Sequence, residues 1–155
     1  MERTFFMVKP DAVARAEVGG IVSKVEKAGF KIVAMKMLLV DQKLAHEHYE
    51  EHTDKPFFED LVALITSGPS VAMVLEGEDC IKSLRALVGS TNPAEAALGT
   101  IRTEFGTDVG RNAVHASDSP ESAGREINLF FNRSEIHYPY PMDEEMIRQP
   151  IVSFL

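Results

Sequence analysis

Positive charge, cysteine and long apolar runs are all scarce in this chain, and each scarcity narrows what it does. Lysines and arginines number 16 against 24 aspartates and glutamates, a formal charge of -8. With a pI near 5.1, the surface repels polyphosphates overall, which argues against non-specific nucleic-acid binding. Any phosphate site must be a local cationic pocket in an acidic surface. The one cysteine, Cys80, has no partner for an internal disulfide, which suits a reducing cytoplasm. No apolar run approaches the ~18 residues of a membrane span, and no signal-peptide pattern opens the chain, so neither a membrane nor a nucleic-acid partner is expected. The familiar phosphate-binding signatures are missing too: no glycine-rich loop leads into a Walker lysine, no G-x-G-x-x-G motif occurs, and no catalytic-loop aspartate precedes Asp-Phe-Gly. A phosphate held by this chain is held by side chains.

What is present reads as a single domain over residues 1–155. Domains of that size bury roughly 70% of their unfolded surface, and a hydrophobic content of 45% is ordinary for one. No repeat, low-complexity stretch or linker divides it. Thr4 to Val8 is continuously apolar and ends at Lys9-Pro10, the pattern of a strand buried on both faces. Ile21, Val22, Val25 and Ala28 recur at helical spacing, and Gly29 stops that helix. Lys31 to Val40 reads as a second strand, with Ile32, Ala34 and Lys36 on one side and Val33, Met35 and Met37 on the other. Leu44 to about Glu51 and Phe58 to Ile65 read as a helix pair, and Val71 to Leu75 as a third strand ended by Gly77. Ile81, Leu84 and Val88 mark a helix closed by Gly89; Val114 to Ala116 is the fourth strand; Ala123, Ile127, Phe130 and Phe131 line the last helix. The core order βαββαβ predicts an α+β fold, a ferredoxin-like sandwich with a four-stranded antiparallel sheet covered by helices. Residues 132–155, with Tyr138-Pro-Tyr-Pro141, read as an irregular C-terminal tail. Ile151, Val152, Phe154 and Leu155 suggest that it packs on something, such as a neighbouring subunit.

The densest signal is Arg111-Asn-Ala-Val-His-Ala-Ser-Asp-Ser-Pro-Glu-Ser-Ala-Gly-Arg-Glu126. Val114 delivers His115 to a strand end, and a helix then opens with Ser119 at its N-cap and Pro120 at its first position. A histidine there faces backbone N–H groups and the positive end of a helix dipole, a place suited to phosphate. This segment resembles the active-site signature of the nucleoside diphosphate kinases, in which the histidine carries a phosphoryl group between nucleotides. Arg3-Thr-Phe-Phe-Met-Val-Lys-Pro-Asp11, His48-Tyr49, Lys55-Pro-Phe-Phe58, Ser67-Gly-Pro69, Val71-Ala-Met-Val-Leu-Glu-Gly77, Gly89-Ser-Thr-Asn-Pro93 and Gly99-Thr-Ile-Arg102 match the family in the same order. Such motifs are weak singly; their shared order carries the resemblance.

The resemblance implies transfer of the terminal phosphate of ATP, or another nucleoside triphosphate, to a nucleoside diphosphate. The transfer would be ping-pong through a phosphohistidine at His115, with broad base and sugar specificity. It implies that Lys9 contacts the sugar hydroxyls and the terminal phosphate, that Arg85 and Thr91 hold the middle phosphate, and that Arg102 binds near the transferred group. Asn112 would bond the sugar, Phe57 would stack on the base with Val109 opposite, and His52 would point toward a phosphate. Tyr49 would line the phosphate site, while Ser117 and Glu126 orient the imidazole. Mg2+ would arrive with the nucleotide and bridge its phosphates. The family forms tetramers and hexamers from a common dimer, so a homo-oligomer is implied and its size stays open. Two positions depart from the family's usual pattern: Ala12, where many relatives carry glycine, and Leu98, where many carry proline.

Two rival readings come from the residues themselves. His48-Tyr-Glu-Glu-His52 fits the H-x-x-E-H pattern of inverted zinc peptidases, which needs both imidazoles on one helix face. A ferredoxin-like module could also bind nucleotide without turning it over, since the fold alone does not fix function.

Overall fold

The computed structural model describes residues 1–137; Tyr138-Pro-Tyr-Pro141 and the apolar residues after it lie outside that range. Four strands, β1 (Glu2–Val8), β2 (Lys31–Leu38), β3 (Ser70–Gly77) and β4 (Val114–Ala116), form one sheet in the order β2-β3-β1-β4. Every neighbouring pair is antiparallel. The sheet order and the expected βαββαβ core agree.

Helices α1 (Pro10–Ala14), α2 (Val18–Lys27), α3 (Gln42–His48), α4 (Phe58–Ile65), α5 (Cys80–Val88), α6 (Ile101–Phe105) and α7 (Pro120–Phe130) cover both faces. Strand alternation divides the side chains between them. Phe6, Val8, Met73, Leu75 and Val114 bury against Ile21 and Val25 of α2 and Leu84 and Val88 of α5. Phe5, Met7, Ala72 and Val74 bury against Ala45 of α3, Val62 and Ile65 of α4 and Phe130 of α7. The central strands β1 and β3 are therefore apolar on both faces, which is why they read as unbroken hydrophobic runs.

Several expectations need correction. Ile32 and Ala34 do not share a side, because the register jumps between them: Ile32 pairs with Leu75 and Ala34 with Val74. A bulge inserts one residue and reverses the alternation, so Ile32 packs on the α2 face and Ala34 on the α3 face. The helix expected from Leu44 to Glu51 starts at Gln42, where Asp41 accepts the Leu44 N–H at 2.8 Å, and it ends at His48; Glu50–His52 is a separate 3-10 turn. α1 and α6 are too short for a hydrophobic period to register, and Pro93–Glu95 is a 3-10 turn capped by Asn92. The tail also begins with structure. Arg133–Glu135 is a 3-10 turn closed by an Asn132–Glu135 capping box, and the His137 N–H donates to the Val33 carbonyl at 2.7 Å. Ala12 lies inside α1 and is not among the residues with positive φ, so nothing there calls for glycine. Leu98 stands 93% exposed, in a loop tied down by Thr103, whose hydroxyl donates to the Ala96 and Ala97 carbonyls.

Candidate active site

β4 buries Val114 and Ala116 on the α2 face, so alternation turns His115 to the other face of the sheet. Its ring lies 5.9 Å from that of Phe5 and 4.5 Å from that of His48, centroid to centroid. His115 Nε2 is 2.9 Å from Glu126 Oε1, and the other Glu126 oxygen accepts the Ser117 hydroxyl. Local sequence makes this possible. Ser119 caps α7 by accepting the Ser122 N–H at 3.1 Å, and Pro120 fills the first helical position. Glu126 follows about two turns along, with its side chain leaning back toward the helix N-terminus and so toward β4. Burial opposes ionisation of Glu126, but the His115 charge and the hydrogen bonds from His115 and Ser117 outweigh it and hold the carboxyl below its ordinary value. An ionised Glu126 can only accept, so in the neutral imidazole the proton sits on Nε2 and Nδ1 is left with the lone pair. Among the described residues no side chain or backbone group bonds Nδ1.

His115 opens onto a cleft of about 670 Å³. Lys9, at the end of β1, points its Nζ to the Gly110 carbonyl and to Asn112 Oδ1, both at 2.9 Å. Burial outweighs the attraction of Asp11 and draws the Lys9 ammonium down to about 8. Asn112 in turn donates to the Thr91 carbonyl at 3.1 Å, tying that loop to the β4 turn. Arg85 on α5 reaches the Ala116 carbonyl at 3.1 Å, and Arg102 on α6 holds the Gly89 and Val114 carbonyls at 3.1 and 3.0 Å. Burial, with the like charge of Arg85 beside it, brings Arg102 down to about 10, which leaves it charged at neutral pH. The rim supplies an aromatic and an aliphatic face: Phe57 is 45% exposed and Val109 55%, whereas the adjacent Phe58 is 5% exposed and belongs to the core. Tyr49 lines the floor with its phenol kept protonated by burial, far above its ordinary value, and His52 lies at the rim with its Nδ1 2.8 Å from Lys55 Nζ. Eleven of the twelve residues expected at the site thus line one cleft, and the twelfth, Ser117, stands directly behind Glu126.

Residues 2–136 match the sequence model of the nucleoside diphosphate kinase family. The chain belongs to that family. Relatives named nucleoside diphosphate kinase include one from Archaeoglobus fulgidus, 61% identical over 95% of this chain and 97% of its own. Another, from Methanothermobacter thermautotrophicus, is 60% identical over 95% and 98%. Among solved structures, the Halobacterium salinarum nucleoside diphosphate kinase in complex with CDP superposes with a TM-score of 0.88 at 48% identity, covering 94% of this chain and 97% of that one. The Aquifex aeolicus enzyme gives 0.86 at 48% identity, over 87% and 98%. As a nucleoside diphosphate kinase, the chain is a transferase that moves phosphate between nucleotides, and the reading as a binding module without catalysis falls away.

The zinc-peptidase reading falls away as well. α3 stops at His48, so His52 sits on the next 3-10 turn and the two imidazoles share no helix face. Two residues the kinase motifs left unassigned, His48 and Arg125, join the cleft, and a third, Asp11, supports it from behind. His48 is 3% exposed, with neither ring nitrogen hydrogen-bonded, and burial followed by the neighbouring His115 and Arg125 charges keeps its pKa well below the ordinary value. Arg125 donates to the Glu47 and His48 carbonyls at 3.0 and 3.4 Å, clamping α3 to α7. Asp11 accepts the Ala113 N–H at 3.0 Å. Asp11 and Arg125 both stand inside motifs quoted above, and polar residues at a strand end or helix start are the available signal; nothing in the sequence separates His48 from a core histidine.

Proposed function

We propose that this nucleoside diphosphate kinase works by a ping-pong reaction through a phosphohistidine at Nδ1 of His115. The observation that carries this reading is the Glu126–Nε2 contact of 2.9 Å, which supports a ring proton on Nε2 and an Nδ1 lone pair available for attack. Nδ1 attacks the terminal phosphorus of a nucleoside triphosphate, chiefly ATP; the bond to the bridging oxygen breaks and the diphosphate leaves. A second nucleoside diphosphate then takes the phosphoryl group by the same path in reverse, and splitting the transfer in two produces ping-pong kinetics. Phosphoryl transfer needs positioning and charge neutralisation more than covalent chemistry. Lys9, Arg85 and Arg102 are the cations for that task, with Thr91 on the phosphates and Asn112 at the sugar. Tyr49 and His52 border the same space. Phe57 and Val109 form a clamp whose side chains offer no hydrogen bond to a base edge, which supports broad base specificity.

Magnesium would enter with the substrate and, held through the nucleotide rather than by this chain, would supply charge neutralisation at the phosphates. The fit is in the lining: the cleft offers Lys9, Arg85 and Arg102 for phosphates, and the one metal-competent cluster among the described residues is rich in nitrogen, unlike the oxygen cage magnesium prefers. We read residues 1–155 as one domain that works as a homo-oligomer, tetramer or hexamer, in the cytoplasm. Met35, Met37 and Leu39 are exposed on or beside the edge strand β2, and exposed apolar side chains there favour a partner. No helix among the described residues is long and apolar enough to cross a membrane. Incubation with γ-labelled ATP and no acceptor tests the chemistry. A phosphoprotein that is acid-labile, alkali-stable and discharged by any nucleoside diphosphate is expected; no label, or an acid-stable one, refutes the mechanism.

A further inference from the structure

His48 poses a problem that the transfer chemistry does not solve. It is buried to 3% exposure, and both of its ring nitrogens lack a hydrogen-bond partner. A buried polar group without a partner is costly and calls for an explanation. Its neighbours on one side are Phe5, Tyr49 and Phe130, whose rings offer it nothing polar in the contacts they make. On the other side stand His115 and Glu126. One nitrogen from each imidazole and one Glu126 oxygen lie within 4.8 Å of one another.

We infer that His48, His115 and Glu126 form a binding site for a borderline divalent cation of the zinc type, and that occupancy of this site switches phosphoryl transfer off. Two imidazoles and one carboxylate with a fourth position open to solvent are a donor set that zinc takes, at bond lengths of about 2.0–2.2 Å. Ligands around a tetrahedral ion at that distance stand ~3.3 Å apart. The 2.9 Å between His115 Nε2 and Glu126 Oε1 is already near it; His48, which is tied to nothing through its ring nitrogens, supplies the remaining adjustment by turning about its own side chain. The entry path exists, because His115 is part-exposed at the cleft wall. Ser117 donates to the Glu126 oxygen that faces away from His115 and orients the carboxylate from behind, the outer-shell support that metal sites use. Magnesium is a poor occupant, since it demands octahedral oxygen ligands and gives up its water reluctantly. The site therefore discriminates against the ion that accompanies the substrate.

The ion binds at the expense of chemistry whichever His115 nitrogen it takes. At Nδ1 it occupies the nucleophile's lone pair. At Nε2 it displaces the proton held by Glu126 and draws electron density out of the ring. Binding itself is independent of the proposed reaction; the loss of turnover rests on His115 being the phosphoryl carrier.

The test uses the intact, metal-free enzyme and separates the two halves. Calorimetric titration with Zn2+, and with Co2+ as a spectroscopic probe of coordination, should give one ion per subunit. His48→Gln, His115→Gln and Glu126→Gln should each weaken Zn2+ binding by more than the ~10–100-fold that loss of an outer-shell partner costs. His46→Gln, at an exposed histidine on α3, should leave it unchanged. Three variants guard against a single one failing to fold, and circular dichroism of each identifies any that does. No stoichiometric binding, or binding that survives in folded His115→Gln and Glu126→Gln proteins, overturns the site. With the site established, Zn2+ should stop labelling of the enzyme by γ-labelled ATP at saturating Mg2+, and a chelator should restore it. Labelling that persists on the zinc-loaded enzyme overturns the switch, whereas an enzyme that never labels without zinc refutes the phosphohistidine mechanism instead.

Discussion

Replacing Glu126 with glutamine removes one charge and almost no volume from a buried position. In the wild type its carboxylate holds His115 Nε2 at 2.9 Å and also accepts the Ser117 hydroxyl. A hydrogen bond to an ionised acceptor is worth about 1.5–3 kcal/mol, roughly twice a neutral one. The amide keeps a neutral acceptor for Nε2–H and loses about half of that, ~0.75–1.5 kcal/mol of stabilisation for the imidazolium-like transition state. At 1.36 kcal/mol per factor of ten, phosphorylation of His115 slows by about 4–13-fold. This figure is a floor, because an amide that instead presents its NH2 to Nε2 forces the ring proton onto Nδ1 and removes the nucleophile. Nucleotide affinity should barely change, since Glu126 faces the ring and not the phosphates. Single-turnover labelling with γ-labelled ATP separates the two quantities: the rate at saturation should fall while the half-saturating concentration holds. A wild-type rate would remove Glu126 from the positioning of His115. Glu126→Ala should be worse in a second way, leaving Ser117 and His115 without a buried acceptor at a stability cost of about 1–3 kcal/mol, read from the denaturant midpoint.

Lys9 loses its charge as pH rises through about 8, so kcat/KM, which reports the free enzyme, should fall above that value; a profile flat across it contradicts the assignment. Phe57→Ala should weaken every nucleotide by a similar factor, about 1–3 kcal/mol, because stacking ignores base identity. Equilibrium binding of purine and pyrimidine diphosphates checks this, and loss for one base alone argues against the clamp. Arg102→Ala should lower kcat and also the melting temperature, since it strips the Gly89 and Val114 carbonyls of their donor. Arg85→Ala, which frees only the Ala116 carbonyl, should raise KM with less effect on stability; a change in KM alone for Arg102→Ala would put its charge away from the moving phosphoryl group.

The elements readable in the sequence are those long enough to show a period. β1 and β3 are apolar on both faces, α2, α5 and α7 carry an apolar stripe with a clear stop or cap, and Ser119-Pro120 marks the opening of α7 to the residue. Where a side is chosen by tertiary geometry, the sequence is silent. Nothing in Lys31 to Leu38 announces the bulge that sends Ile32 and Ala34 to opposite faces. α1 and α6 hold five residues each, too few for 3.6-residue periodicity to separate from chance. Most residues of the cleft fall in ordered motifs and could be named from the sequence; His52, Arg85 and Val109 lie outside those motifs and were reached only through the family resemblance. His48 could not be assigned, since its meaning depends on β4 and α7 folding against α3, contacts between segments some seventy residues apart.

A strained turn joins the chain just after β1 to the start of β4. Ala113 has φ of 73°, a left-handed conformation that costs an L-residue about 1–2 kcal/mol. Asp11 accepts its N–H at 3.0 Å, and the Lys9 N–H donates to its carbonyl at 2.9 Å. The end of β1 therefore grips both polar groups of the strained residue, and the strain is carried where two strands are locked together. The same grip has a chemical consequence. With Ala113 held in this conformation, the preceding Asn112 turns its side-chain oxygen to Lys9 Nζ at 2.9 Å, while Val114 continues into β4 and carries His115 to the opposite face of the sheet. Asp11 also lies close enough to Lys9 to favour its charged form against burial. One carboxylate thus holds the strand of His115 in register with Lys9 and supports the charge of that lysine. Were Ala113 to relax to an ordinary conformation, Asn112 and His115 would move together relative to Lys9, so the strain belongs to the spacing between Lys9 and His115 and not to the stability of the sheet.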